Sequence, residues 1–201
     1  SKIVFGERRS VESIIIKNDK KYTSLNFNSE ISKDVLLKSG LWSLIRQKPF
    51  SKVPHSNSVP KAFFISSMPT EPFAMNYEYL MNQNEHFLQK GIDVLKEIYD
   101  CEIYFSTTSN SIFSDLKNVN HINFNKLHPA GNVGVQIHKL DPIKAKNDTR
   151  WYISLQDLNR IGEFYKTGEY SNFRYVSVGG NAYDKVAIYK ILIGTCVDDI
   201  V

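Results

Sequence analysis

The residues best placed to bind a ligand lie in one polar loop, His128-Pro129-Ala130-Gly131-Asn132-Val133-Gly134. The loop follows a predicted strand and precedes a predicted helix, at the edge where doubly wound sheets bind ligands. Free amides at a helix N-terminus can hold a carbonyl oxygen or an anion, and the glycines allow a ligand to approach closely. The alternative is a tight turn that packs a helix onto the sheet. Local sequence leaves both roles open.

His138 and Asp141 are three residues apart, a spacing that places them on one face of a helix. Two ligands do not make a metal site. The spacing therefore favours a buried histidine that is hydrogen-bonded and oriented by the carboxylate. Farther along the chain, Ser154 is the predicted cap of a helix that ends at Gly168. Gln156 and Asp157 fall in its first turn, where an acidic side chain is favoured by the helix dipole, so we predict a structural role for them.

The predicted sheet lacks a phosphate-binding loop. Its first strand, Ala62 to Ser66, runs into Ser67-Met68-Pro69-Thr70-Glu71-Pro72 instead of a G-x-G-x-x-G turn. Prolines remove amide donors, and Glu71 repels phosphate. The sequence also lacks a Walker A lysine loop and a G-x-S-x-G nucleophile elbow. Nucleotide binding is therefore disfavoured.

Composition excludes several classes of protein. The 201 residues carry 25 Lys and Arg against 21 Asp and Glu, a net charge of +4, and 42% are hydrophobic. These values are those of a globular chain with a core, and the mild charge does not predict nucleic-acid binding. No apolar stretch approaches the roughly 20 residues of a membrane-spanning helix. Two cysteines are too few for a disulfide framework, and we expect a cytoplasmic location.

Strand and helix patterns alternate through the middle of the chain, which predicts an α/β fold with a Rossmann-like parallel sheet and helices on both faces. One helix is predicted from Ser29 to Gly40, a single helix from Tyr77 to Ile98, and an extended connection across Pro49 to Pro60. Gly91 lies on the apolar face of the second helix, so we expect close packing there. Residues 30–170 form this domain. Residues 1–29 read as the end of a β domain, with strands at Lys2 to Phe5, Val11 to Lys17 and Tyr22 to Phe27 joined by turns. Residues 171–201 read as the start of a β-grasp-like module, with two strands and then a helix from Thr195 to Ile200.

One segment of the domain, Ser39 to Pro54, mixes aromatic, basic and proline residues. Such a segment can line an apolar groove or form a partner surface. It can equally be a loop held in place by buried aromatic side chains.

Several of these segments together resemble one family, the A subunits of bacterial Na⁺-translocating NADH:quinone oxidoreductases. The segments occur in family order and spacing across nearly the whole chain. They are Gly6-Glu7-Arg8-Arg9, Ser39-Gly40-Leu41-Trp42, Arg46, Pro49 to Pro54, His128-Pro129-Ala130-Gly131 with Gly134, Ile137-His138, Asp141-Pro142, Trp151, Gln156-Asp157, Ile161-Gly162 and Thr167-Gly168-Glu169. The chain departs from the family pattern at Gly179-Gly180-Asn181 and at Ala187 to Ile191.

The resemblance implies a fragment that covers the central part of a peripheral protein on the cytoplasmic face of the membrane. Lipoyl-like and β-grasp (SLBB-like) modules flank its Rossmann-like domain. The family's fold is related to the NADH- and FMN-binding component of complex I, but members of the family bind no cofactor. FMN, FAD and iron–sulfur centres lie on other subunits of the complex. The family is associated with ubiquinone binding next to the membrane protein NqrB.

The resemblance also gives candidate quinone-binding residues, which are His128, Pro129, Ala130, Gly131, His138 and Asp141. We expect no catalytic residue in this chain. Two other functions remain open at this point. One is a free-standing α/β oxidoreductase or nucleotide-binding module, and the other is a scaffold that binds no small molecule.

Overall fold

The structure is a computed structural model that describes residues 30–82, 84–181 and 186–200, together with two short strands near the N-terminus. These strands, β1 (Lys2–Ile3) and β2 (Val11–Ser13), pair antiparallel. The predicted turns and strand extensions in residues 4–10 and 14–29 lie outside the described residues.

A five-stranded sheet forms the centre of the molecule and confirms the predicted α/β class. Its strands are β3 (Arg46–Lys48), β4 (Ala62–Ser66), β5 (Glu102–Thr107), β6 (Asn120–Asn123) and β7 (Arg150–Ser154). The strand order is β3-β7-β4-β5-β6, and β4 to β7 are parallel. The sheet is nevertheless mixed, because β3 pairs antiparallel with β7 at one edge. We did not predict β3, since it has only three residues and directly precedes Pro49.

Five α-helices connect and flank these strands: α1 (Lys33–Lys38), α2 (Tyr77–Met81), α3 (Glu85–Ile98), α4 (Val133–Leu140) and α5 (Leu155–Thr167). Short 3₁₀ turns occupy Leu41–Leu44, Ile112–Asp115 and Val197–Asp199. The predicted cap of α1 at Ser29 is wrong, because Ser32 accepts the hydrogen bond from the Val35 amide. The predicted single helix from Tyr77 to Ile98 is also wrong, because α2 ends at Met81 and α3 begins at Glu85, after Asn84 with non-helical angles (φ −117°, ψ 12°).

Helices cover both faces of the sheet, as predicted, but unequally. The larger core lies under α1, α3 and α5, where the buried Trp151 ring meets Trp42 and Phe63 edge-on at 5.6 Å. The opposite face has a smaller core around Phe64 and Ile137, covered by α4. Fewer hydrophobic side chains are therefore buried on the α4 face than on the opposite face.

Two glycines allow α3 and α5 to pack in close contact. A Cβ atom on Gly91 would lie 2.6 Å from the Leu158 carbonyl oxygen, and one on Gly162 would overlap the Phe87 carbonyl. The expectation of close packing at Gly91 is therefore confirmed.

A separate antiparallel hairpin, β8 (Phe173–Val178) and β9 (Ala187–Leu192), packs beside α5. The Gln156 side chain pairs with the Tyr175 backbone, accepting from its N–H at 2.9 Å and donating to its carbonyl at 3.3 Å. Arg160 donates to the Ser171 carbonyl. Gln156 thus has the predicted structural role. It fulfils this role by binding the backbone of the hairpin and not through the helix dipole. The predicted helix at Thr195 to Ile200 is only a 3₁₀ turn.

Within the described residues, every helix is too short or too polar to cross a bilayer.

Candidate functional site

The strand order creates a crevice at the carboxyl ends of β4 and β7. From β4 the chain proceeds sideways through β5 to β6, whereas β7 lies on the other side of β4. The connecting loops diverge at such a reversal, and ligands of open α/β sheets bind there. A cleft of about 180 Å³ occupies this position. It is lined by Ser66, Pro69, Glu71, Tyr77, Gly131, Asn132, Val133, Tyr152, Ile153, Ser154 and Leu155.

The His128 to Gly131 loop reaches this cleft through Gly131, its last residue, and is fastened to the segment that follows β4. The Thr70 hydroxyl accepts a hydrogen bond from the Gly131 amide at 3.0 Å and lies 3.3 Å from His128 Nδ1. Ser66 donates to the Gly131 carbonyl at 3.1 Å. The side-chain amide of Gln136 donates to the Ala130 carbonyl at 3.0 Å. Hydrogen bonds from side chains therefore hold both ends of the His128 to Gly131 loop in place.

Gly131 is required at its position by space. A Cβ atom there would overlap the Met68 carbonyl oxygen and lie 2.8 Å from the Thr70 amide. Ala130 is buried, whereas His128 and Pro129 are exposed. Ala130 and Gly131 therefore act as the tight packing turn that the sequence left open. His128 and Pro129 are accessible to solvent and are not among the residues that line the cleft.

The helix that follows the loop presents its N-terminus to the cleft. Helix α4 begins at Val133, and its N-cap residue Asn132 makes no side-chain cap hydrogen bond. By contrast, α5 is capped, because the Ser154 hydroxyl accepts from the Asp157 amide at 3.1 Å. First-turn amides have no partner within the helix, so α4 supplies donors that can bind an oxygen atom.

A larger cavity of about 450 Å³ adjoins the cleft beneath residues 67–78. The two share Pro69, Glu71 and Tyr77. Burial raises the pKa of the Tyr77 phenol, and the charge of Glu71 raises it further. The phenol is therefore protonated at neutral pH. Glu71 disfavours phosphate in both spaces, so together they suit a neutral ligand that bears oxygen acceptors.

The remaining two candidates, His138 and Asp141, lie away from the cleft. His138 is exposed and lines a 240 Å³ groove with Lys48 and Pro49. The Asp141 carboxylate binds Arg150, the first residue of β7, at the opposite edge of the sheet. The expectation of a buried histidine oriented by Asp141 is therefore wrong.

Arg150 is the centre of a charge cluster that the sequence did not indicate. Its guanidinium is about 1% exposed and donates to Asp141 at 2.6 Å and to Asp148 at 2.5 Å. Hydrogen bonds from Arg150 lower the pKa of Asp141 and lower that of Asp148 to about 2. Lys61 adds ion pairs from the solvent side. This cluster is structural, since both carboxylates are used in binding cations of the chain itself.

Sequence reasoning missed two further residues that build the cleft, Thr70 and Gln136. Thr70 contacts His128 and Gly131, 58 and 61 residues farther along the chain, and Gln136 holds the preceding loop through its side-chain amide. Hydrophobic periodicity does not indicate contacts of this kind. Among the described residues, no group of three His, Cys, Asp or Glu side chains converges on a point that could hold a metal ion.

Comparison with known proteins adds a second line of observation. The model of the family described as "NqrA second alpha/beta domain" matches residues 27–170. Relatives include the NqrA protein of the Na(+)-translocating NADH-quinone reductase from Glaesserella parasuis serovar 5 (strain SH0165), which is 33% identical over 203 residues, 94% of this chain and 45% of the relative. The corresponding protein of Vibrio vulnificus (strain YJ016) is 32% identical over 97% of this chain and 46% of the relative. The chain spans somewhat less than half the length of these relatives.

Proposed function

The chain belongs to the NqrA family and contains its second α/β domain, and from this premise we propose that it is a peripheral, cofactor-free part of a Na⁺-translocating NADH:ubiquinone reductase. It contributes to quinone binding and docks on the membrane subunits, above all NqrB, at the cytoplasmic face. NADH oxidation, electron transfer through FMN, FAD and iron–sulfur centres, and Na⁺ movement take place on the other subunits.

The observation that supports the quinone role is the chemistry of the cleft between β4 and β7. A quinone headgroup is neutral, flat and carries two carbonyl acceptors. The uncapped N-terminus of α4 offers amide donors to one carbonyl. The exposed imidazole of His128, which lies 3.3 Å from the Thr70 hydroxyl, is the proposed partner of the other carbonyl. Tyr77 and Tyr152 provide aromatic walls. His138 and Asp141 are not among the residues that line this cleft, so we propose no quinone contact for them there.

The same cleft argues against the nucleotide-binding alternative. A nucleotide needs several amides and a cation facing its phosphates. Here Pro69 lacks an amide donor and Glu71 presents a carboxylate. A free-standing, nucleotide-binding oxidoreductase is therefore less well supported than the quinone role and ranks second.

The first experiment separates these alternatives. An absorbance spectrum of the purified chain tests for bound flavin, and melting temperatures are then measured with NADH, FMN and a short-chain ubiquinone. We expect a colourless protein that only the quinone stabilises, because a ligand that binds the folded state raises the melting temperature. Flavin colour or a shift with NADH would contradict the proposal and favour the oxidoreductase. A quinone that shifts neither this chain nor its complex with NqrB would favour the scaffold.

A glycine pair tests whether the cleft is the quinone site. In Gly131→Ala the new methyl group overlaps the Met68 carbonyl, so the loop shifts, and we expect the quinone-induced melting shift to be lost. The free energy of unfolding should fall by about 1–3 kcal/mol.

Gly134→Ala is the matched control, because a Cβ atom there meets nothing within 4 Å. This change lies in the first turn of α4 and should leave the protein as stable or slightly more stable, with the quinone shift retained. Equal quinone shifts in both variants would place the quinone elsewhere.

A further inference from the structure

The positive charge of the chain is concentrated in one stretch of sequence. Residues 35–70 contain Lys38, Arg46, Lys48, Lys52 and Lys61 and no Asp or Glu. This stretch alone carries +5, while the whole chain carries +4. The rest of the chain is therefore close to neutral, and the stretch is the natural place to look for an anionic partner.

At the centre of this stretch a tight turn presents an aromatic ring to solvent. Residues 47–52, here called the Phe50 turn, are closed by a hydrogen bond from the Gln47 amide to the Lys52 carbonyl at 2.8 Å. Phe50 at the tip is 58% exposed. The ammonium of Lys52 lies 5.7 Å from the centre of its ring, and Lys48 donates to Ser51 at 2.9 Å. An exposed phenylalanine is thus flanked by two lysines.

The turn is held in this orientation by the buried part of the same segment. Trp42 packs against Trp151, and its indole N–H donates to the Pro54 carbonyl at 2.9 Å. Trp42 is therefore the buried aromatic that holds the loop, one of the two roles that the sequence left open. Phe50, at the tip of the turn, is exposed and takes no part in that core. The tip is therefore free to take the other role considered for this segment, that of a partner surface.

The surface beside the turn also combines apolar side chains with exposed lysines. Lys48 and Pro49 line the shallow groove that also contains Ile137, His138 and Ile143. Lys144 and Lys146 are exposed in the loop that follows the groove. The nearest carboxylates on that loop, Asp141 and Asp148, are already bound to Arg150 and Lys61. Their charge does not offset the exposed lysines.

We propose that the Phe50 turn and the adjoining groove dock directly on an anionic phospholipid bilayer. Phe50 enters the headgroup region while Lys48, Lys52, Lys144 and Lys146 face the lipid phosphates. Aromatic rings partition into this interface, and each nearby lysine adds attraction to an anionic leaflet. This lipid contact is proposed in addition to docking on NqrB, and the residues that line the groove are not those that line the quinone cleft.

Vesicle sedimentation tests the proposal on the whole chain. We expect the protein to sediment with vesicles of phosphatidylcholine and phosphatidylglycerol, to remain in solution with phosphatidylcholine alone, and to dissociate as the NaCl concentration rises. Inorganic phosphate at millimolar concentration should not compete, because it lacks the apolar layer that receives Phe50. Equal binding to both vesicle types, or binding to neither, would overturn the proposal.

Matched variants locate the surface. Lys48→Gln/Lys52→Gln should lower the vesicle partition coefficient about 30-fold, the product of two lysine contributions, and Phe50→Ser should also lower it. Lys117→Gln/Lys166→Gln makes the same change in net charge at lysines that adjoin α3 and α5 and should retain vesicle binding. Equal losses in the two lysine pairs would overturn the assignment to this turn.

A fluorescence readout checks that the tip enters the lipid. Phe50→Trp should show a blue shift of tryptophan emission on the phosphatidylglycerol vesicles and none on phosphatidylcholine. An unshifted spectrum would overturn insertion. If the Lys48/Lys52 variant instead lost only its assembly with NqrB, the surface would bind an acidic protein and the lipid proposal would be wrong. Vesicle binding and the quinone melting shift are measured separately, and Phe50→Ser changes neither a residue of the cleft nor one in contact with it, so the two proposals fail separately.

Discussion

Arg150 is the residue whose removal should show most clearly how the charges of this molecule are balanced. In Arg150→Met the carboxylates of Asp141 and Asp148 lose their main partner. We expect the free energy of unfolding near pH 7 to fall, because both carboxylates keep their charge without their main cation. The loss is smaller than for a fully buried pair, because the two carboxylate side chains are about one quarter exposed. Urea unfolding measures it.

The same variant predicts a pH dependence. Arg150 lowers the pKa of both carboxyls from 3.8 in the folded state. Their stabilisation is therefore complete above pH 4 and is lost as the pH falls towards 2. The difference between wild type and Arg150→Met should shrink over that range. Lys61→Met, which removes an exposed cation from the same carboxylates, should change stability by less than about 1 kcal/mol. A difference that grows on acidification would contradict this account.

At the residue scale, one of the candidate residues, Gly131, lines the cleft, whereas the partners of the charged groups were not predicted. His138 and Asp141 have helical spacing, yet Asp141 is the C-cap of α4 with φ near −149°. Its side chain leaves the helix face and reaches Arg150. Spacing rules hold only inside a helix. A cap residue falls outside them, which is why the predicted pair does not form.

Among the elements, the contact between α3 and α5 depends on the absence of side chains at Gly91 and Gly162. In Gly162→Ala the methyl group would overlap the Phe87 carbonyl, so the helices must separate. We expect a loss of at least about 2 kcal/mol in the free energy of unfolding, although alanine is the better helix former. Thermal and urea unfolding measure the change.

Glu163→Ala, at the next position of the same helix and only partly buried, is the control and should change stability by less than about 0.5 kcal/mol. If Gly162→Ala were as stable as the control, the close approach of α3 and α5 would not be required for folding.

Strongly periodic elements were predictable from sequence, and interruptions within them were not. The strand Ala62–Ser66 and the helix from Ser154 to Gly168 agree with the structure because their apolar spacing and caps indicate the same ends. The break between α2 and α3 was missed because the apolar spacing continues across it. Strand β3 was missed because pairing with β7, not propensity, makes three residues a strand.

Across the whole molecule, the sheet and the β8–β9 hairpin should differ in local stability. The hairpin has two strands and many exposed side chains, and Gln156 connects its backbone to α5. In Gln156→Ala we expect the Tyr175 amide to exchange hydrogen faster, while amides of β4 and β5 stay protected. Hydrogen-exchange mass spectrometry measures both.

Gln89→Ala is the control for the hairpin, since Gln89 makes the equivalent contact from α3 to the Lys117 backbone. It should leave exchange at Tyr175 unchanged. Simultaneous loss of protection in the hairpin and the sheet of Gln156→Ala would show that the two unfold as one unit.

The reversal of strand order at β4 also bears on how such a domain can evolve. The crevice results from the directions in which the chain leaves β4 and enters β7, so no single substitution in the loops can abolish it. Loop residues decide only which molecule is admitted. A domain with this strand order can therefore lack phosphate-binding glycines, carry prolines and a glutamate after β4, and still have a recess that selection can adapt to another ligand.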